Sequence, residues 1–233
     1  MNATAGRILD AGQELIQIRG FSAMSFQDIA SEVGIKKPSI IHHFPTKAEL
    51  GVAIIRRYRD TLAAQLQEIS EDPAKSSWDA LEFYFSPYLF FASTPDKVCL
   101  CGALAGEIPA LPETMRVEVK QFMEAHQQWL EEILLEGAEC GEFVLIDSPK
   151  SLSRVIFNSL QGSLLVRRST EDVSQLKEII NASMLVLRMG YINGQEYLRI
   201  GISNLGLLMV SVSSWIVLEL NMKGWVLYIN LLP

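Results

Sequence analysis

The chain has 233 residues, 49% of them apolar and 20% charged, with three cysteines and a net charge of -7. That balance excludes a disordered chain; Cys99, Cys101 and Cys140 cannot all pair within one molecule, and no apolar secretion signal opens the sequence, so a reducing, cytoplasmic compartment is expected. Acidity speaks against a nucleic-acid partner until the charge is divided: residues 1–59 hold eight Lys/Arg against five Asp/Glu, a balance of +3 that leaves -10 for the rest, as in a small basic unit on an acidic body.

Ile8, Ala11, Leu15 and Ile18 recur at three- and four-residue spacing and predict an amphipathic helix over 3–19, closed by Gly20 in a left-handed cap. Ser25, followed by Gln27 and Asp28, starts a second helix whose apolar face is Phe26, Ile29, Ala30 and Val33, and Gly34 stops it after about two turns. Small or apolar residues at Ile29, Ala30, Val33, Gly34, Ile35 and Ile40 give helix-turn-helix spacing. A small side chain lets two helices cross steeply, a glycine takes the positive-φ turn, and the apolar positions hold the pair together. A plain αα-hairpin has the same spacing, so the next helix has to decide.

Pro38 suits the first turn of that helix, where a missing N–H costs nothing. Lys36 and Lys37 stand at the positive end of its dipole, a placement that costs about 0.3–1 kcal/mol each in isolation and turns favourable beside an external anion such as a DNA phosphate. Thr46-x-x-Glu49 is a capping box that opens the following helix and puts Lys47 in its first turn. His42 and His43, about 100° apart on a helix, cannot share one metal ion, and no nearby His or Cys completes a site. Two readings remain: one of them caps or packs, or, in a groove-inserted helix, they donate to phosphate or lie against a thymine methyl.

The stretch "ILDAGQELIQIRGFSAMSFQDIASEVGIKKPSIIHHFPTKAEL", Ile8 to Leu50, resembles the DNA-binding domain of TetR-type transcriptional regulators, with Gly-Phe before the motif, Asp-Ile-Ala, the Gly-Ile turn and the closing His-Phe-x-x-Lys. The resemblance implies that Lys37, Ser39 and His42 reach base edges or sugars, that Gln27, His43 and Lys47 hold phosphates, and that Lys36 lies near the backbone. Ile41 departs from the family's usual tyrosine and offers methyl contact without a hydrogen bond.

Beyond Leu50 the pattern is helical. Leu50, Ile54, Tyr58, Leu62, Leu66 and Ile69 form a stripe over 47–70. "WDALEFYFSPYLFF" predicts an aromatic helix that Pro87 kinks or interrupts. A long helix is expected over 112–139, then two more over 149–168 (Leu152, Val155, Ile156, Leu160, Leu164 and Leu165 inward) and 171–189 (Val173, Leu176, Ile180, Met184 and Leu187). The resemblance implies that these last two form a four-helix interface in a homodimer, which fits one short motif reading half of a palindromic double-stranded DNA operator.

The aromatics of residues 83–91 are either core or the wall of an effector cavity with polar handles at Tyr84, Tyr88 or His126; the candidate ligand contacts are Phe85, Tyr88, Phe91 and His126. Cys99 and Cys101 are either buried small residues or a thiol sensor, since their segment resembles regulators that respond to electrophiles or oxidants; Lys97 lowers a thiol pKa if the two meet in space.

Residues 190–233 extend past the usual family length, and Ile200–Leu218 carries no Lys, Arg or Asp and no Glu before position 219. A coding accident, an extra packing element and a membrane anchor are the three readings. The sequence therefore predicts an all-α protein: a three-helix helix-turn-helix DNA-binding domain over 1–50, a larger helical ligand-binding and dimerisation domain over 51–189, and a hydrophobic tail. The expected function is a DNA-binding regulator, most simply a repressor released by a small molecule or electrophile, with no cofactor, no metal and no enzymatic motif; a membrane-tethered interaction protein is the alternative.

Overall fold

The computed structural model describes residues 3–94, 96–192, 195–200, 208–211, 216–221 and 224–229. The described residues between 3 and 188 form helices and no strand: α1 (Ala3–Arg19), α2 (Phe26–Val33), α3 (Lys37–His43), α4 (Lys47–Glu71), α5 (Ser77–Ser93), α6 (Leu100–Ala105), a short 3-10 turn at Ile108–Ala110, α7 (Glu113–Glu139), α8 (Pro149–Thr170) and α9 (Ser174–Arg188). The expected all-α, two-part architecture is what the chain adopts over these residues.

Local chemistry accounts for the joints. Ser25 and Asp28 exchange hydrogen bonds in a full capping box, and Gly34 ends α2 with φ 72°. Thr46 accepts the Glu49 N–H at 3.1 Å to open α4. Pro87 does not interrupt α5, which runs through it. The carbonyl of Phe83, which loses its N–H partner to the proline, instead accepts the Ser86 hydroxyl at 2.8 Å.

One continuous core runs from α1 to α9. On α1 it takes Ile8, Leu9 and Ile16, with Ile16 rather than Ile18 on the inner line, and these pack with Ile54 and Ile55 of α4. In the body α4 and α7 are tied by Glu118, a buried carboxylate that accepts Arg56 Nε and Arg59 Nη1, each at 2.6 Å. Truncating either arginine leaves that charge partly unmet, so the pair fixes geometry more than it adds stability.

Two adjacent arginines at the end of α8 close two other helix ends, whose last carbonyls lack intrahelical donors. Arg167, buried, donates to the carbonyls of Phe91, Thr94 and Lys97 at 2.8–3.1 Å. Arg168 donates to Gln17 O at 2.6 Å and Ile18 O at 3.1 Å at the end of α1. Gln17 completes the joint by donating to Val98 O at 3.1 Å.

Three positions expected to face inward do not: Val155 is 61% exposed, and Leu165 and Val173 are exposed as well. α8 buries Leu152, Ile156, Leu160 and Leu164 as expected, and Val155 falls on its outer side with Ser159, Gly162 and Val166 at helical spacing. Phe83 and Phe90 also lie outward on α5.

Past Arg188 the described backbone pairs as antiparallel strands. β1 (Met189–Ile192), β2 (Gln195–Ile200) and β3 (Leu208–Ser211) form one sheet in that order, and β4 (Ile216–Asn221) pairs with β5 (Gly224–Ile229). The described parts of the Ile200–Leu218 run are therefore strand, the rest of it lies outside the described residues, and no described helix is long and apolar enough to cross a membrane.

Candidate functional site

α3 is held by its neighbours and presents nearly everything else. Only Ile40 is buried, at 0% exposure, in the core with Ile29 and Val33. Lys36, Lys37, Ser39, Ile41 and His42 are exposed, Ile41 at 41%; Gln27 on α2 is exposed as well, and His43 and Lys47 are half-buried. The eight residues singled out in the sequence thus lie along α2, α3 and the start of α4. The two imidazole rings meet edge to face, with centroids 5.5 Å apart.

Lys47 is the most structured of the cations. Its Nζ donates to the Ser22 carbonyl at 3.2 Å and lies 4.5 Å from the centre of the Phe21 ring, a cation–π approach. Burial lowers its pKa from the ordinary lysine value, against the raising influence of Glu107 and Asp28.

In the body, the structure places Tyr88, Phe91 and His126 around one small chamber with Tyr58, Phe83 and Cys99. Its volume is about 30 Å³, room for about two water molecules. Phe85 is not part of it: one residue on from Tyr84, it turns about 100° around α5 and is buried elsewhere. Leu66 and His126 are shared with a cleft of about 330 Å³ between α4 and α7, walled on one side by Trp129.

The chamber's polar groups form a chain without formal charge. Gln161 Nε2 donates to Tyr88 Oη at 3.1 Å, Tyr88 and Tyr84 hydroxyls are 3.5 Å apart, and Tyr84 Oη is 3.3 Å from His126 Nδ1. Burial depresses the His126 pKa to about 4, so the imidazole is neutral near pH 7, and burial raises those of Tyr58, Tyr84 and Tyr88.

Cys99 lines this chamber, with the Tyr58 hydroxyl 3.8 Å from its sulfur; Cys101 is fully buried, and burial pushes its pKa well up. Lys97 does not meet Cys99, because its Nζ is paired with Glu14 at 2.5 Å. Sequence reading missed Tyr58 and Phe122 as chamber walls: both sit in ordinary amphipathic stripes, and only the packing of α4 against α7, where their rings stack at 5.6 Å, brings them together.

Residues 8–54 match the sequence model described as "Bacterial regulatory proteins, tetR family". A TetR transcriptional regulator from Legionella pneumophila, known from its crystal structure, is 31% identical, with a TM-score of 0.73, covering 80% of this chain and 98% of that one. The chain belongs to the tetR family. A tetR-family transcriptional regulator from Agrobacterium tumefaciens is 29% identical, with a TM-score of 0.72, over 77% of this chain and 95% of that one. The transcriptional repressor DhaR of Mycobacterium sp. strain GP1 is 23% identical over 181 residues, 76% of this chain and 90% of its own length. The protein is accordingly a DNA-binding transcriptional regulator of a regulator family, whose members bind operator DNA and typically act as dimers under small-molecule effectors.

Proposed function

We propose that the protein is a cytoplasmic homodimeric repressor that occupies a palindromic operator and leaves it when a small molecule binds in the cleft between α4 and α7 and the chamber that adjoins it. The observation that carries this reading is α3 itself. A seven-residue helix with one buried side chain is kept in place by α2 and α1, and the helix and its N-cap turn outward two lysines, a serine, an isoleucine and a histidine. The polar ones are donors for a DNA groove.

In this reading Lys37, Ser39 and His42 meet base edges or sugars, Gln27, His43 and Lys47 hold phosphates, Lys36 lies near the DNA backbone and Ile41 contributes methyl contact. Residues 1–50 form the DNA-binding unit and 51–189 the ligand-binding and dimerisation unit. The outer face of α8, with Val155 and Val166 flanking Ser159 and Gly162, supports pairing with a second copy, because small residues let helices approach closely. An effector acts only through its different affinity for the DNA-bound and free spacings of the two reading units.

Genome-wide recovery of DNA bound to the tagged protein tests the reading. Two-fold symmetric sites upstream of a few genes, emptied in cells exposed to one class of small molecule, are the expected result; an absence of enriched sites removes it.

One observation favours a thiol-dependent version: Cys99 faces the chamber an effector would enter. In that version a Cys99→Ser protein stays on DNA when treated with quinone or hypochlorite while the parent is released. Equal release of both proteins removes the thiol from the mechanism.

A further inference from the structure

Ser22 lies between a carboxylate of the body and an ammonium of the DNA-reading unit. Glu107, in the turn after α6, accepts the backbone N–H of Phe21 at 2.7 Å through Oε1 and that of Ser22 at 2.8 Å through Oε2. The Ser22 carbonyl in turn accepts Lys47 Nζ at 3.2 Å, and the same ammonium leans on the Phe21 ring. Both residues that support Lys47 are therefore held from behind by one side chain of the body.

The backbone is shaped for this contact. Gly20 has φ 87°, and a Cβ there would collide with Glu107 Oε1, so the residue before Phe21 needs glycine for its conformation and for the carboxylate's approach. Two charge-assisted bonds to consecutive N–H groups are strong and directional. Lysine has three donors; the Ser22 carbonyl takes one of them and leaves donors for an outside acceptor. A lysine already steered in this way loses less rotamer freedom when it closes on a phosphate than one that is free.

We propose that Glu107 is a positioning residue for DNA binding: by fixing Phe21 and Ser22 it aims Lys47 at the phosphate backbone. The inference rests on the phosphate contact proposed above for Lys47. It also gives α6 a role. Cys99, on the chamber wall, is the N-cap of that six-residue helix, and Glu107 follows its C-terminus by two residues. The chamber thus touches one end of this short helix, and Lys47 is linked through Ser22 and Glu107 to the other.

The sign of the effect separates this role from simple electrostatics. Removing a negative charge close to DNA by itself tightens binding. Loss of positioning weakens it.

The test uses full-length wild type, Glu107→Ala, Lys47→Ala and the double variant, each checked for helicity and melting temperature. They are titrated, from about 50 to about 200 mM salt, onto a duplex that the wild type selects from a random library. Each single variant is expected to lose roughly fivefold in affinity and about one unit of salt slope, and the double variant to fall within about twofold of Lys47→Ala. Glu107→Gln, which keeps one carbonyl acceptor, is expected to lose less than Glu107→Ala; if the alanine variant does not fold, the glutamine variant carries the same cycle by the same criteria. Unchanged or tighter binding by the Glu107 variant with an unchanged slope, or losses that multiply in the double variant, overturns the inference. A slope that Lys47→Ala leaves unchanged removes the phosphate contact itself, and the role of Glu107 with it.

Discussion

The reading surface on α2 and α3 and the chamber in the body are built on opposite plans. The first gathers its eight candidate residues from 21 consecutive positions, Gln27 to Lys47, and turns most of them to solvent. The second draws Tyr58, Tyr88, Cys99 and His126 from α4, α5, the start of α6 and α7, and buries all of them but the half-buried Tyr58. A surface that touches a long polyanion needs a row of side chains in register with one short helix, which local sequence can encode. An enclosed cavity needs walls from several directions, which only tertiary packing supplies.

The most severe loss on the reading side is expected at Ile40, the one buried side chain of α3. Ile40→Ala leaves a void beneath α3 and is expected to cost about 2–4 kcal/mol. DNA binding should fall with it, while far-ultraviolet circular dichroism at low temperature retains the helices of the body. If melting temperature and DNA binding both survive, α3 does not hang from that single side chain.

On the chamber side the largest expected effect is a dependence on pH. His126 has a folded pKa of about 4 against an ordinary 6.5, so below pH 6.5 the unfolded chain takes up a proton that the folded chain refuses. The contribution is fully present above pH 6.5 and is lost as the pH falls toward 4, by up to about 3 kcal/mol. His126→Phe should flatten that part of the stability profile. Denaturant titrations of both proteins at pH 7.5, 5.5 and 4.5 make the comparison; parallel profiles would mean that the imidazole is not shielded.

Smaller effects sharpen the reading side. Lys37→Ala should weaken operator binding and relax its sequence preference, whereas a lysine that only meets phosphate weakens all sequences alike. Competition with mutated duplexes distinguishes these outcomes. The smallest change is expected from Ile41→Tyr: the position is exposed, so stability stays within about 0.5 kcal/mol, and a restored hydroxyl contact tightens DNA binding by about 1 kcal/mol. No gain in anisotropy titrations would show that this chain approaches DNA differently at residue 41.

The same contrast explains what was legible in the sequence. Helix ends were plain wherever a cap or glycine writes them locally, as at Ser25, Gly34 and Thr46. Membership of helices did not reveal which face was inner: Val155 and Leu165 look as apolar as Leu160, yet the packing of α7, α9 and α5 on α8 decides which of them is covered. Pro87 promised a break because the compensating donor, Ser86, is invisible to a rule about proline alone. Lys97 was a plausible neighbour for Cys99 by sequence distance, and Glu14, 83 residues away, holds it instead. Glu107 gave no signal at all, since an acidic residue in a loop is unremarkable until the backbone it serves comes into view.

The shared packing of α1 with Ile54 and Ile55 bears on how such a protein can be recombined. A cut after residue 50 would strip Ile8, Leu9 and Ile16 of their cover and leave the fragment with an open wound rather than a finished surface. A hybrid that borrows this specificity for another body therefore has to place its seam beyond the second turn of α4, and carry a matching partner for Phe21 and Ser22, or the transplanted head will be attached without being aimed.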